Sequence, residues 1–168
     1  SVFIFSKKPI ELLKTIQLDK QSRTSNNLAK VLLKNYWKLQ PELVSSGIAD
    51  AFILIGDRTF GQKNNYAYVY DLAEEWQKFT QLPFVFAVWA ANKTMPESFI
   101  SRFNAALKFG LDHRKEVIEQ LPPIENFDLE DYLMNRIDYH FNAKKQEALT
   151  LFLTFLKALE LPSYTVGK

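Results

Sequence analysis

The sequence contains no cysteine and only two histidines, and both facts narrow its chemistry. Without cysteine the chain can form neither disulfides nor thiolate metal sites, as is usual in a reducing compartment. His113 and His140 have no serine or cysteine partner at a spacing typical of a catalytic triad. The five glycines form no phosphate-binding loop of either common type. We therefore predict no bound metal and no triad-type nucleophile.

Strong charge of one sign and long apolar runs are also missing. The formal net charge is +2 and the basic residues form no extended run, so no nucleic-acid partner is indicated. No apolar run approaches the roughly 18 residues that span a bilayer, so no membrane partner is predicted. No signal peptide is visible, but the chain begins with "SVFIFSKKP", without Met and within a strand-like run. We expect the natural N-terminus to lie upstream.

Apolar residues are abundant: they make up 47% of the 168 residues and include 14 Phe, 7 Tyr and 3 Trp. This length permits one domain or two small lobes with a substantial core. Apolar spacing and turn residues predict strands over 1–6, 15–19, 49–57 and 82–91, and helices over 24–39, 70–80, 96–109, 111–121, 128–137 and 143–161. The strands 49–57 and 82–91 are continuous apolar runs, which predicts burial of both faces. The order of elements predicts an α/β fold with a helical continuation.

The motif Ser22-Arg23-Thr24-Ser25 lies where the first long helix is predicted to begin. A helix N-terminus presents unpaired N–H groups and a partial positive charge. Three hydroxyl groups and a guanidinium at that end could bind a carboxylate or a phosphate. The alternative is simple capping by Ser22 or Thr24, with an exposed arginine.

Gly56-Asp57 follows the apolar run "FILI". In open α/β sheets, ligands bind beyond the carboxyl ends of the strands, so an aspartate at this position is well placed for a cleft. Gly56 would let the backbone approach a ligand, and Asp57 could act as an acid, a base or a hydrogen-bond acceptor. The alternative is a turn that only ends the strand. The acidic residues Asp71, Glu74 and Glu75 are explained by complementarity to a helix dipole.

Five motifs together resemble the chorismate dehydratase family of the futalosine route to menaquinone. In order along the chain they are "SVFIFSK", "SRTSNNLAKVLL", "DAFILIGD", "YDLAEEWQKFTQLPFVFAVWA" and "YLMNRIDYHFN". The resemblance implies a fold like the type II periplasmic binding proteins, with two lobes and a hinge cleft. It places residues 1–9 and 82–168 in lobe 1, with hinge strands and C-terminal helices, and residues 10–81 in lobe 2.

The resemblance also implies a cytoplasmic lyase that needs no cofactor. Chorismate would lose water to give 3-[(1-carboxyvinyl)oxy]benzoate, because aromatisation drives the elimination. The resemblance implies that Ser1 and Asp57 are the catalytic residues. It also implies that the substrate is bound by Ser22, Arg23, Thr24, Ser25 and Gly56. No residue is a clear general base, and a substrate carboxylate could itself take the proton.

Several features depart from the family or leave alternatives open. The stretch that normally precedes the "SV" strand is absent, so the N-terminal part of one lobe is expected upstream. The link between "PEL" and "VSSGIADAF" is short, and Gln81 replaces a glycine. A non-catalytic binding module for a small aromatic carboxylate is one alternative, and the sister dihydroxynaphthoate synthase is another. The oligomeric state is open, with a homodimer as one option.

Overall fold

A computed structural model describes residues 2–160. Of these, residues 2–86 together with residues 141–160 form one compact unit, and Ala87–His140 form a second. The strands are β1 (Val2–Ser6), β2 (Thr15–Gln17), β3 (Glu42–Val44), β4 (Ala51–Ile55) and β5 (Tyr68–Asp71). The helices are α1 (Arg23–Leu32), α2 (Leu72–Thr80), α3 (Glu97–Asp112), α4 (Arg114–Glu119), α5 (Leu129–Asp131) and α6 (Ala143–Glu160).

The five strands form one mixed sheet in the order β3-β2-β4-β1-β5. β2 runs parallel to both β3 and β4, whereas β1 runs antiparallel to β4 and to β5. β1 is therefore an inner strand that points against the other four, and all five of its residues are buried. The α/β class expected from the sequence is confirmed.

The core of the first unit lies between one sheet face and helices α1, α2 and α6. Alternate residues of the central strands, such as Ile4, Ile16 and Ile53, contribute to it. The apolar stripe of α1, which includes Leu28 and Leu32, packs against them, as the i, i+4 spacing predicts. On the opposite face, aromatic side chains of β1 and β4 contact a ring from the segment before β5; these residues are Phe3, Phe5, Phe52 and Tyr66.

Trp76 of α2 is at the centre of an aromatic cluster and has 0% exposure. Its ring centroid lies 5.4 Å from that of Phe84, 5.8 Å from Phe152 and 6.2 Å from Phe155, each in an edge-on arrangement. Such geometries are favourable for aromatic pairs and add to the free energy of burial. The cluster fixes α6 against α2 although more than 60 residues separate them along the chain.

The second unit contains α3, α4 and α5, and none of residues 87–140 is buried. Trp89 packs edge-on against Phe103 of α3, with centroids 5.3 Å apart. Arg114 donates from Nη1 to the Leu133 carbonyl oxygen over 2.8 Å and lies over the Tyr139 ring. A few specific contacts thus organise this unit internally. No helix within residues 2–160 is long and apolar enough to cross a membrane.

The structure corrects several sequence-based element assignments. Residues 82–91 form no strand and pair with none of the strands within residues 2–160; instead the Phe84 ring packs edge-on against Phe152 of α6. The strand 49–57 is not covered on both faces, since Phe52 and Leu54 remain half-exposed. α3 continues past Gly110 to Asp112. β3 and β5 were not predicted, and α1 ends earlier than expected, in a π-helical turn over Leu33–Trp37.

Asp50 joins three segments at the amino end of β4. Its carboxylate accepts hydrogen bonds from Lys8 Nζ over 2.6 Å and from the backbone N–H of Lys14 over 2.9 Å and of Thr15 over 3.3 Å. In return, the Asp50 N–H donates to Thr15 Oγ1. The Lys8 hydrogen bond, followed by the Lys14 N–H, lowers the pKa of this carboxyl to about 2. The Asp50 carboxylate therefore holds the start of β2 and the end of β1 beside β4.

We expect Trp76→Ala to lower the free energy of unfolding by about 3–5 kcal/mol, because the cavity cannot be filled by its rigid aromatic neighbours. Trp89→Ala is the matched control: Trp89 is 78% exposed, so its loss removes little beyond one ring contact and should cost about 1 kcal/mol or less. Urea unfolding followed by far-ultraviolet circular dichroism measures both. Equal losses for the two variants would contradict the assignment of Trp76 to the core.

We expect Asp50→Asn to lower the thermal unfolding midpoint at neutral pH. The difference in midpoint from the unsubstituted protein should become smaller as the pH falls. The folded pKa lies below the ordinary value of 3.8, so the carboxylate stabilises the fold above that pH. This contribution is lost as the pH falls from about 4 through about 2. Thermal melts of both proteins between pH 7 and pH 2 measure the difference.

Lys8→Met and Lys7→Met form a matched pair for the same measurement. Lys8→Met removes the largest cause of the lowered pKa and should weaken the pH dependence, whereas Lys7 is exposed and lies one residue away. A difference between Asp50→Asn and the unsubstituted protein that stays constant from pH 7 to pH 2 would refute this role of Asp50.

Candidate functional site

Strand direction brings several loops to one edge of the sheet. β2 ends at Gln17 and β4 ends at Ile55, and these parallel strands have their carboxyl ends at the same edge. β1 is antiparallel and begins there, because Val2 pairs with Ile55 and Phe3 pairs with Asp71, the last residue of β5. We call this the carboxyl edge. Ligands of open α/β sheets bind at such an edge.

The segment between β2 and α1 is folded by its own side chains. Asn26 Oδ1 accepts the Asp19 N–H over 2.9 Å, and Asn26 Nδ2 donates to the Asp19 carbonyl oxygen over 2.7 Å. Asp19 Oδ1 in turn accepts the Gln21 N–H over 2.7 Å. These bonds hold the turn that brings the chain from the carboxyl edge into the first turn of α1.

Ser22 is the N-cap of α1. Its Oγ accepts the Ser25 N–H over 3.1 Å and donates to Ser25 Oγ over 2.8 Å. Capping by Ser22 was one of the two sequence-based alternatives for this motif, and it is confirmed. Ser25 is buried, Thr24 is half-buried, and Arg23 is exposed. The hydroxyl groups of Ser22 and Ser25 are thus engaged with each other at the helix start.

Gly56 and Asp57 begin a 3₁₀ turn directly after β4. Gly56 has φ +62°, a left-handed conformation that side chains with a Cβ rarely adopt, which is why glycine ends this strand. Thr59 Oγ1 donates to the Gly56 carbonyl oxygen over 2.6 Å, and the Phe60 N–H donates to the Asp57 carbonyl oxygen. The Asp57 side chain is exposed. The turn places it beyond the end of β4, as the sequence predicts.

An ion pair between a buried aspartate and a partly exposed arginine joins the two loops, and sequence reasoning missed both partners. Arg58 Nη2 donates to Asp19 Oδ2 over 2.5 Å, and the Asp19 side chain has 0% exposure. Arg58 keeps 39% of its side chain exposed. Asp19 follows β2 as Asp57 follows β4, so the rule that pointed to Asp57 could have found it. Nothing local in the sequence pairs Asp19 with Arg58, which is 39 residues away.

A groove of about 340 Å³ runs along this part of the sheet. It is lined by Gln17, Leu18, Asp19, Lys20, Gln21, Phe52, Ile53, Leu54 and Arg58. A second groove of about 360 Å³ lies along α1 and the end of α6 and includes Lys30, Leu43 and Leu156. Neither groove is lined by a predicted site residue. The first groove includes Gln21 and Arg58, which are the sequence neighbours of Ser22 and Asp57, and it is therefore the candidate site.

Asp71 also lies at the carboxyl edge, as the N-cap of α2. Its Oδ1 accepts the Ala73 N–H over 2.9 Å and the Glu74 N–H over 3.4 Å. Burial raises the pKa of the Asp71 carboxyl, and the two N–H bonds act against that rise. Lys63 Nζ lies 4.6 Å from the centroid of the Phe3 ring, next to this strand end. The capping contacts confirm the interpretation of this acidic run as complementary to the helix N-terminus.

The remaining predicted residues fall elsewhere. Ser1 lies outside the described residues. His113 is in the second unit, where its Nδ1 lies 2.8 Å from the Phe109 carbonyl oxygen and its ring stacks on Phe109. The His140 N–H donates to Asp138 Oδ1 in the same unit. Over the part of the chain that the structure describes, no three His, Asp or Glu side chains converge into a metal site.

Comparison with known proteins identifies the family of this chain. The family described as menaquinone biosynthesis matches residues 1–158. A protein of Thermus thermophilus named chorismate dehydratase is 29% identical over 194 residues, covering 96% of this chain and 69% of that protein. A chorismate dehydratase of Campylobacter jejuni is 28% identical over 150 residues, covering 85% of this chain and 59% of the relative.

The chain spans only part of each relative's length. The alignment with the Thermus protein runs over 194 positions, more than the 168 residues of this chain, so that relative carries additional residues inside the matched stretch. The match to the menaquinone biosynthesis family nevertheless begins at residue 1 and extends through nearly all of α6. The chain therefore belongs to the menaquinone biosynthesis family.

Proposed function

We propose that the protein carrying this sequence is a chorismate dehydratase, a lyase that eliminates water from chorismate to give 3-[(1-carboxyvinyl)oxy]benzoate. The observation that carries the proposal is the convergence, at one sheet edge, of the capped start of α1 and the Gly56-Asp57 turn. The family membership and the names of the two relatives support the same reaction.

The proposed fold has two lobes of the type II periplasmic-binding-protein kind, with the substrate in a cleft between them. Residues 10–81 would form most of one lobe, and residues 1–9 and 82–168 would contribute to hinge strands and the other lobe. One feature supports this: β1 begins at the carboxyl edge and runs against the direction of its neighbours, as a strand that arrives from another lobe would, and it then pairs with β4 and β5.

The reaction requires loss of a ring proton from C3 and departure of the C4 hydroxyl, and it yields an aromatic ring and one water. The N–H groups at the start of α1, with Ser22, Arg23, Thr24 and Ser25, are proposed to bind a substrate carboxylate. Asp57 is proposed to orient the departing hydroxyl, with Gly56 allowing a close approach of the backbone. A carboxylate of the substrate is the proposed proton acceptor.

Ser1 is the second proposed catalytic residue, hydrogen-bonded to the substrate or assisting proton transfer. Val2, the residue after it, lies at the carboxyl edge opposite Ile55, one position before Gly56. Closure of the lobes would exclude water and orient the reacting groups. No step requires a cofactor, since aromatisation supplies the driving force.

The proposal is tested by incubating the full-length polypeptide that carries this sequence with chorismate and separating the products by chromatography. We expect 3-[(1-carboxyvinyl)oxy]benzoate to form only when the protein is present, with one molecule of product for each molecule of chorismate consumed. Binding of chorismate by calorimetry without turnover would instead indicate a binding module for aromatic carboxylates. Absence of both binding and turnover would refute the proposal.

We expect Ser1→Ala to lower kcat at least tenfold, since one well-placed proton-transfer or hydrogen-bonding group contributes about that much or more. The Kd for the product should change far less, because the carboxylate anchors remain. Ser45→Ala, in an exposed loop of the same unit, is the matched control and should leave both constants unchanged. Intact turnover in Ser1→Ala would remove Ser1 from the catalytic residues.

A further inference from the structure

The Asp19–Arg58 ion pair is the one contact at the candidate site between charged side chains of the two loops, as far as the described residues show. A buried carboxylate is costly unless it is paired and hydrogen-bonded. Asp19 meets this requirement through Arg58 at Oδ2 and the Gln21 N–H at Oδ1. The energy of burying Asp19 is thereby tied to the position of Arg58.

Part of the Arg58 side chain remains accessible beside the pair. Within residues 2–160, the hydrogen bond that the structure gives Arg58 is the one from Nη2 to Asp19. A guanidinium has five N–H donors in a planar fork that matches a carboxylate. The exposed part of Arg58 lines the groove of about 340 Å³. The remaining donors therefore have space in which to meet a ligand.

The charge of the groove suits an anion. Its charged lining residues are Lys20, Arg58 and Asp19, two positive and one negative, which leaves a net charge of +1. Asp19 also restricts the rotamers of Arg58, so less side-chain entropy is lost when a ligand binds. Arg23, in contrast, is exposed on the first turn of α1. Arg58 thus lines the groove, and Arg23 follows the loop that Asp19 and Asn26 hold together.

We propose that Arg58 binds one carboxylate of a small aromatic dicarboxylate, while the start of α1 with Arg23 binds the other, and that Asp19 is the positioning residue for Arg58. This inference rests on the proposed function, because it assigns the two carboxylates of that substrate to separate anchors. It explains why a buried acid joins the loop before α1 to the turn after β4.

The test measures Kd by calorimetry for four probes in the full-length polypeptide. Two are dicarboxylates, 3-[(1-carboxyvinyl)oxy]benzoate and benzene-1,3-dicarboxylate. Two carry a single carboxylate, 3-ethoxybenzoate and 2-phenoxyacrylate. We expect Arg58→Gln to weaken both dicarboxylates about tenfold or more, as for loss of a charged hydrogen bond, and to weaken only one monocarboxylate. Arg23→Gln should weaken the dicarboxylates and the other monocarboxylate.

Three further variants separate binding from folding. Arg58→Lys keeps the charge but loses the fork, so its Kd should be intermediate. Asp19→Asn with Arg58→Gln removes both charges and leaves no unpaired buried acid, so it should fold and still bind weakly. Arg102→Gln, an exposed arginine of α3, is the neutral control. If the double variant binds all four probes as tightly as the unsubstituted protein, the pair is only a structural clamp and the inference is wrong.

The outcomes for this inference and for the proposed function are distinct. Turnover of chorismate with unchanged Kd and KM in Arg58→Gln would overturn the inference alone. Binding of benzene-1,3-dicarboxylate that depends on Arg58, without any turnover of chorismate, would support the inference and overturn the proposed reaction. Failure of the unsubstituted protein to bind any of the four probes would overturn the inference.

Discussion

The pairing of β1 with both β4 and β5 is the constraint that organises the first unit. β1 lies inside the sheet and all five of its residues are buried, so its ladder bonds are made on both sides in a water-free environment. Its direction opposes that of its neighbours, so Val2 lies beside the last residue of β4 and Phe3 lies beside the last residue of β5. The candidate site exists because these ends meet at one edge, where the loops that follow are free to carry polar groups.

At this edge, each loop is first stabilised locally and then joined to the other by a single buried charge. Asn26 and Ser22 satisfy the turn and the N-terminus of α1, whereas Gly56 permits the left-handed conformation that ends β4. These contacts and this backbone conformation involve residues that are close together in the sequence. The Asp19–Arg58 pair acts across 39 residues and leaves part of the Arg58 side chain exposed at the groove. Proteins commonly present functional loops on a rigid scaffold such as this sheet.

Much of the fold follows from patterns that operate over short distances. The Ser22 cap, the apolar stripe of α1 and the apolar run of β4 are local signals, and each predicted its element. β3 has only three residues, and β5 is continuous with the start of α2. Neither therefore shows an apolar pattern long enough to predict a strand. Residues 82–91 have the composition of a buried strand but pair with none of the described strands, and composition alone cannot reveal whether a strand has a partner.

For the site, the sequence by itself determined the helix start at residues 22–25 and the turn at Gly56-Asp57, because capping and the left-handed conformation depend on neighbouring residues only. The tertiary structure alone decided that the two loops share an edge, that Asp19 is buried, and that Arg58 is its partner. The physical reason is that an ion pair depends on distance in space and on exclusion of water. Both are set by strand order and packing, which no local pattern encodes.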